Sequence, residues 1–157
     1  MEVLSRNQLS TVAEVEVSYR PKIRPSQRPQ VKHSQDVYDI LLGFWNPDKI
    51  ELCEQFCVML LSNHNRVLGI VQMSSGGMTG TVADTRMIFS VALKACACSI
   101  VVAHNHPSGS LRPSEQDIRI TRRLVEAGRL LELPVADHLI LTTEGYYSFA
   151  DEGHISS

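Results

Sequence analysis

The chain has 157 residues, a length that forms one domain with its own hydrophobic core and needs no disulfides to stabilise it. Hydrophobic residues make up 43% of the sequence and charged residues 20%, which excludes a chain that is disordered throughout. The net charge of −2 excludes both a uniformly polybasic nucleic-acid binder and a strongly acidic chain.

The first 33 residues differ in composition from the rest of the chain. Residues 12–19 alternate apolar and polar side chains, which predicts a β-strand. Residues 20–33 hold prolines at every fourth position, five basic residues and no acidic residue, so the remainder of the chain carries a net charge of −7. The prolines exclude a helix and favour an extended path. We therefore predict that residues 1–33 form a strand and a Pro/Arg-rich arm, which would lie on an acidic surface of this domain or a neighbouring one, or contact nucleic acid.

Residues 34–157 show the alternation of helical and strand patterns that is typical of an α/β domain. Helices are predicted over residues 34–45, 85–96 and 114–131, and strands over residues 54–62, 66–73, 99–104, 135–142 and 146–149. Ser34 is the predicted N-cap of the first helix, residues 63–65 form a tight turn, and residues 74–84 form a glycine-rich loop. The expected architecture is a mixed β-sheet packed with helices.

The cysteines and the absence of a targeting pattern indicate a reduced, cytoplasmic protein. Cys53 and Cys57 lie in an apolar context, as do Cys96 and Cys98, and neither spacing matches the C-x2-C of zinc knuckles. We therefore expect four buried, reduced thiols. The sequence has no signal-peptide pattern and no apolar run near the roughly 18 residues that cross a bilayer, so no membrane partner is expected. No pattern specifies an oligomeric state.

The strongest signal for chemistry lies where the third predicted strand ends. His104 and His106 are two residues apart on a strand, so their imidazoles point to one face, with Cα atoms about 6.6 Å apart. Asp117 begins the next helix, where the returning chain could supply a carboxylate. Two histidines and one aspartate, with a fourth position left for water, form the ligand set of a catalytic zinc site. We predict one Zn²⁺ per chain at these three residues.

Each of these residues also has an explanation that involves no metal. Ser114 and Asp117 have the spacing of a capping box, in which two residues cap the first turn of a helix. A histidine at the end of a strand is often only a polar terminus. The combination of His104, His106 and Asp117 favours a metal site over these separate explanations.

The motif His104-x-His106-x7-Ser114-x2-Asp117 resembles the JAMM signature of JAB/MPN-domain metalloproteins. The string HNHPSG, followed by PSEQD, AG, DHLIL and YYSF, resembles the RadC family in particular, over about residues 36–153. The resemblance implies a JAB/MPN fold, related to the cytidine-deaminase-like α/β sandwich, over residues 34–157. Fuller members of the family carry a helix-hairpin-helix module before this domain, and residues 1–33 are too short and too rich in proline to form one.

The JAMM pattern also includes a glutamate on a strand upstream of the histidines. Glu54 matches the Glu-x-Phe with which this strand opens in the family, and Glu51, in the preceding loop, is the second candidate. By the resemblance, Glu54 would carry a proton from a metal-activated water to the leaving nitrogen, and Ser114 would donate a hydrogen bond to the developing oxyanion. The alternative for Glu54 is a solvent-exposed glutamate at the end of a strand.

Four further residues are expected to support or flank the site. Ser108 and Gly109 would shape the loop beside the metal, with Gly109 supplying a backbone conformation that other residues avoid. Asp137 and His138 lie on a later predicted strand and would orient either a metal ligand or the end of the sheet, and we favour packing as their role.

The resemblance implies a zinc-dependent, metallopeptidase-like hydrolase whose substrate is a peptide, isopeptide or other amide. Two other functions stay open. The domain could be a non-catalytic MPN scaffold, or a DNA-associated RadC-type repair or mobile-element factor. The latter would bind or cleave nucleic acid through the basic arm and the arginines of residues 114–131, and salt-dependent binding to short duplexes would distinguish it from a peptide hydrolase.

Overall fold

The computed structural model describes residues 19–20, 22–76 and 83–156. All but the last residue of the strand predicted over residues 12–19, and most of the glycine-rich loop, therefore lie outside the described residues. After a short 3₁₀ turn, the elements are α1 (Ser34–Phe44), β1 (Gln55–Leu61), β2 (Val67–Ser75), α2 (Thr85–Lys94), β3 (Ser99–Asn105), α3 (Glu115–Leu130), β4 (Val135–Leu141) and β5 (Tyr146–Ser148). Each predicted element from residue 34 onward is present, with bounds that differ by at most two residues.

The five strands form one sheet in the order β2-β1-β3-β4-β5. The β3/β4 pair is parallel and the other three pairs are antiparallel. The predicted α/β class with a mixed sheet is therefore confirmed. The central strand β3 and its neighbour β1 are buried almost throughout, which explains why their sequences are nearly continuous apolar runs.

Helices cover both faces of the sheet and form a hydrophobic core on each. Alternate residues of β1 and β3 point into one core or the other. The core beneath α1 includes Cys57, Met59 and Leu61 of β1 together with Val101 and Ala103 of β3. The core beneath α2 and α3 takes the intervening residues of the same strands: Phe56, Val58, Leu60, Ile100 and Val102. Because side chains alternate along a strand, His104 continues the second set and faces α3.

The first helix begins one residue earlier than its predicted cap requires. His33 is the N-cap, and Ser34 is already helical. The carboxylate of Asp36 accepts hydrogen bonds from the backbone N–H groups of His33 (3.0 Å) and Lys32 (2.8 Å), which moves the capping interaction toward the N-terminus. The Ser34 hydroxyl instead donates to Asp151, so the prediction of Ser34 as N-cap is wrong.

The arm lies alongside the β1–β2 turn. It contains a short 3₁₀ helix at Pro25–Gln27. Beyond it, the backbone N–H of Val31 donates to the Asn65 carbonyl, and that of Val67 donates to the Pro29 carbonyl, both at 2.9 Å. The four ion pairs among the described residues involve no residue of the arm. Backbone hydrogen bonds, together with a hydrogen bond of 2.8 Å from the Arg66 guanidinium to the Arg28 carbonyl, hold this part of the arm against the β1–β2 turn.

The cysteines are all reduced but are not all buried. Cys57 is buried and Cys53 is partly buried, whereas Cys96 and Cys98 are exposed, so the prediction of burial is wrong for the second pair. These two lie between α2 and β3, where Cys96 adopts a positive φ of 52°. Burial raises the pKa of the Cys57 thiol to about 12, which keeps it protonated. Within the described residues, no helix has both the length and the apolar character to cross a membrane.

Candidate metal centre

The candidate site lies where β3 ends and α3 begins. His104 belongs to the last residue pair of the β1/β3 ladder, where it lies opposite Phe56. His106 follows the end of β3. Residues 107–114 return the chain to the sheet through a turn at Gly109, whose φ of 79° is favoured only in glycine. The Gly109 N–H donates to the His106 carbonyl at 3.0 Å, so the conformation expected of Gly109 closes the loop beside the histidines.

Ser114 and Asp117 form the capping box that their spacing allows, and the same carboxylate faces the histidines. The Ser114 Oγ accepts from the Asp117 N–H at 3.1 Å, while the Ser114 N–H and hydroxyl both donate to Asp117 Oδ2 at 2.7 Å. The other carboxylate oxygen, Oδ1, lies 3.2 Å from His104 Nε2. The capping and metal-site interpretations of Asp117 are therefore compatible, because helix capping holds the carboxylate in place.

The three predicted ligands converge on one point. The Nε2 atoms of His104 and His106 are 3.0 Å apart, and His106 Nε2 lies 3.6 Å from Asp117 Oδ2. One ligand atom from each residue lies within 4.8 Å of the others. His104 is 1% exposed and Asp117 8%, whereas His106 is only partly buried and faces the surface. The three residues are positioned to bind a metal ion that remains accessible from one side.

The electrostatics of the cluster favour a cation. Burial alone would raise the pKa of Asp117, but hydrogen bonds from His104 and His106 outweigh it and hold that pKa well below its ordinary value. The hydrogen bond with Asp117 raises the pKa of His106, against the opposing effect of burial. Asp117 therefore keeps the negative charge that a metal ion bound beside it would need.

The backbone holds His106 in one orientation. Its Nδ1 lies 2.7 Å from the carbonyl oxygen of Ser110, which can only accept, so Nδ1 carries a hydrogen. In the neutral ring, the lone pair is then on Nε2, the atom that faces His104 and Asp117. Ser108, which we expected to shape this loop, accepts a long hydrogen bond of 3.4 Å from the Ser110 N–H.

Glu54 lies beside the cluster, just before β1. The register that pairs Phe56 with His104 places Glu54 opposite His106 when it is continued by two residues. The negative charge of Glu54 is the smallest of the causes that raise the pKa of His106, after the hydrogen bond and charge of Asp117 and the Ser110 carbonyl. The second candidate, Glu51, accepts a hydrogen bond of 2.9 Å from Thr143 and is thus held toward the loop between β4 and β5.

Asp137 and His138 are neighbours on β4 and point to opposite faces of the sheet. Asp137 is buried and accepts from the Ser148 hydroxyl at 2.6 Å and from the Ala150 N–H at 3.0 Å, hydrogen bonds that join β4 to β5 and the residues after it. His138 is fully buried on the side of α3, and its Nε2 lies 2.8 Å from His104 Nδ1. Burial lowers the pKa of His138 well below its ordinary value, so the ring is neutral.

Two residues that the sequence argument missed also hold the site. Thr121 lies one turn after Asp117 on α3, and its Oγ is 2.6 Å from His138 Nδ1. Asn105, between the two histidines, points the other way and binds the segment before β1: its amide donates to the Ile50 and Cys53 carbonyls at 2.7 and 2.9 Å. The i, i+4 spacing from Asp117 could have indicated Thr121, and strand alternation could have indicated Asn105.

Comparison of the sequence with known proteins identifies its family. The model of the RadC-like JAB domain matches residues 31–154. A UPF0758 protein of Flavobacterium johnsoniae is 45% identical over 100 residues, which is 64% of this chain and 44% of that protein. A UPF0758 protein of Symbiobacterium thermophilum is 36% identical over 143 residues, 90% of this chain and 59% of that protein.

A third relative, a UPF0758 protein of Alkaliphilus metalliredigens, is 42% identical over 123 residues, which is 78% of this chain and 52% of that protein. The chain therefore spans about half the length of the curated relatives that it matches. The matched residues 31–154 include the whole sheet and every residue of the candidate metal centre. The chain belongs to the RadC-like JAB domain family.

Proposed function

We propose that this domain is a zinc-dependent hydrolase of the JAMM type that cleaves a peptide, isopeptide or other amide bond. The observation that carries the proposal is the convergence of two imidazole nitrogens and one carboxylate at the end of β3. The charge of Glu54, which acts on His106, supports it. Because the chain spans only part of its relatives, the proposal concerns the domain and the bond that it cleaves, and the partners of the whole protein are left open.

The donor set fits a zinc ion. Two neutral imidazoles and one carboxylate supply the mixture of nitrogen and oxygen ligands that zinc accepts, and three protein ligands leave a position for water or substrate. His104, His106 and Asp117 would hold the ion, and the partial exposure of His106 supports access from outside. A site made only of carboxylates and carbonyls would instead have favoured magnesium or calcium.

When bound, the zinc ion would acidify a water molecule and polarise the substrate carbonyl. The protein would move the protons. Glu54 would accept a proton from the attacking water and deliver it to the leaving nitrogen, so its carboxylate must be ionised before the reaction and neutral in the middle of it. Asp117 stays ionised throughout because the capping box and the histidines stabilise its negative charge.

Ser114 would contribute through its hydroxyl. In the metal-free structure that hydroxyl donates to Asp117 Oδ2 at 2.7 Å, so a hydrogen bond to a developing oxyanion requires the hydrogen to rotate away from the carboxylate. Asp117 would share its negative charge with an ion that it holds, so the Ser114 hydroxyl could turn from the carboxylate toward the oxyanion. Replacement of Ser114 by alanine should then lower turnover more than it lowers zinc affinity, and equal losses in both would contradict the oxyanion role.

The proposal is tested by a search for a substrate with the full chain loaded with zinc. Peptide and isopeptide-linked libraries would be incubated with the protein, in parallel with single-stranded and duplex DNA, and products identified by mass spectrometry. We expect cleavage of an amide bond that a chelator abolishes and added zinc restores. Cleavage of DNA alone would support a nuclease, and a zinc-loaded, folded protein that cleaves nothing would support a scaffold.

A further inference from the structure

A line of buried hydrogen bonds runs from α3 to the back of the metal centre. Thr121 Oγ lies 2.6 Å from the carbonyl oxygen of Asp117 and also 2.6 Å from His138 Nδ1. His138 Nε2 in turn lies 2.8 Å from His104 Nδ1. Thr121, His138 and His104 are each exposed by 2% or less, so bulk water does not compete for these contacts.

The direction of each bond follows from the number of hydrogens available. A carbonyl oxygen can only accept, so the single hydroxyl hydrogen of Thr121 must point to Asp117. The Thr121 oxygen must then accept a hydrogen from His138 Nδ1. His138 is fully buried and its ring nitrogens contact a hydroxyl and an imidazole but no carboxylate, so the ring is neutral and has only a lone pair left on Nε2. Its contact with His104 therefore requires a hydrogen on His104 Nδ1.

We infer that Thr121 and His138 are positioning residues that keep a hydrogen on His104 Nδ1, so that Nε2 is the nitrogen left to bind a metal ion. The Ser110 carbonyl likewise keeps a hydrogen on His106 Nδ1. Metal-binding histidines usually donate their second N–H to a carboxylate, a carbonyl or water. Carboxylate and carbonyl oxygens can only accept a hydrogen bond, and a water molecule can turn to accept one. A histidine in that place can either donate or accept, so Thr121 is needed to set its direction.

The aromatic surroundings hold the His138 ring in the plane that this network needs. Its ring stacks on Phe149, with centroids 4.7 Å apart and an interplanar angle of 10°, and Phe56 lies at 5.9 Å on another side. The ring therefore has few alternative rotamers that would keep it buried. A 180° rotation of the ring about χ2 would put Cδ2 and Cε1 where the two nitrogens lie and would break both hydrogen bonds.

The inference rests on the metal site of the proposed function but not on hydrolysis. Its direct test is imidazole ¹⁵N NMR of the ¹⁵N-labelled full chain, both metal-free and loaded with zinc. We expect a hydrogen on His104 Nδ1 and on His138 Nδ1 in both forms, and zinc on His104 Nε2 in the loaded form. A His104 ring whose Nδ1 carries no hydrogen in either form would overturn the inference.

A pair of substitutions tests the role of the hydroxyl. Thr121→Val keeps the shape of the side chain and removes the acceptor, so the His138 proton should move to Nε2 and drive the His104 proton to the metal-binding nitrogen. Zinc affinity should then fall about 10–100-fold, whereas Thr121→Ser should retain both the tautomer and the affinity. A valine variant with the wild-type tautomer and affinity would overturn the role of Thr121.

The two failures are distinguishable. A chain that shows the expected tautomers and binds zinc but cleaves no amide bond would keep this inference and lose the enzyme. An active hydrolase with the opposite His104 tautomer would do the reverse. If Thr121→Val did not fold, the NMR spectra of the unchanged protein would still decide the question.

Discussion

Glu54 is the residue whose replacement separates a hydrolase from a metal-binding scaffold. Glu54→Gln keeps the size of the side chain and removes the proton acceptor. Zinc binding and folding should survive, because no ligand is changed, while turnover of an amide substrate should fall about 10²–10⁴-fold, the usual contribution of general acid–base catalysis. Steady-state kinetics with zinc content measured on the same sample would check this.

Glu51→Gln is the matched control for that experiment. Glu51 carries the same charge on the same segment, but its carboxylate binds Thr143 in the β4–β5 loop. We expect its turnover to stay within a few-fold of wild type. A Glu54→Gln variant with full turnover, especially beside an inactive Glu51→Gln, would move the catalytic base to Glu51 and overturn the assignment.

His106 makes zinc binding depend on pH. A histidine must be neutral to bind a metal, and the hydrogen bond with Asp117 raises the pKa of His106 above its ordinary value. Protons should therefore begin to compete with zinc above about pH 6.5, the pKa of a free imidazole. Competition titrations against a zinc chelator should show affinity falling from pH 8 to pH 5, and constant affinity over this range would contradict a two-histidine site.

At the scale of single residues, spacing predicts a ligand only where the contact is local. The i, i+2 spacing of His104 and His106 and the helix-start position of Asp117 are visible in the sequence, and the structure brings these residues together. The contact of His104 with His138 joins residues 34 positions apart through the pairing of β3 with β4. No local pattern specifies that pairing, so packing was the natural interpretation of His138.

At the scale of elements, the connection from α3 to β4 depends on the absence of a side chain at Gly128. A Cβ built there would lie 2.6 Å from the Leu133 carbonyl oxygen and 3.4 Å from the Val135 N–H, both of them backbone atoms. We expect Gly128→Ala to destabilise the domain by about 1–3 kcal/mol, because the backbone must shift to relieve the contact. Urea denaturation followed by circular dichroism would measure the change.

Gly43→Ala provides the comparison within another helix. Gly43 lies near the end of α1, and a Cβ there meets nothing within 4 Å. Alanine should therefore raise the free energy of unfolding by up to about 1 kcal/mol, from helix propensity alone. If both alanine variants changed stability in the same direction, the close approach of the α3–β4 connection would not be the cause.

The same scale shows what the sequence could and could not predict about elements. Hydrophobic periodicity located all three helices and five strands of the described region from residue 34 onward. The predicted N-cap of α1 was wrong, because Asp36 binds the backbone of His33 and Lys32. The predicted burial was wrong at Cys98, which precedes β3 instead of continuing its buried run. These ends depend on competing hydrogen bonds, which periodicity does not contain.

At the scale of the whole molecule, the sheet order decides where the site can be. The pairing of β3 with β1 on one side and β4 on the other places His104, the segment that holds Glu54, and His138 at the centre of the sheet. The class of the fold could be predicted from the alternation of elements. The strand order could be expected only through the family resemblance, since it depends on contacts between distant segments.

Because the ligands come from β3 and α3, zinc binding should stabilise the folded domain as a whole. A ligand that binds only the folded state stabilises it by about 2.7 kcal/mol at a free concentration 100 times its Kd. For a domain of this size, that free energy corresponds to a rise in Tm of about 5–11 °C. Differential scanning calorimetry with zinc and with a chelator should show this difference, and His106→Ala should abolish it, whereas His64→Ala, in the exposed β1–β2 turn, should retain it. An equal rise in Tm in the His106 variant would mean that zinc binds elsewhere on the chain.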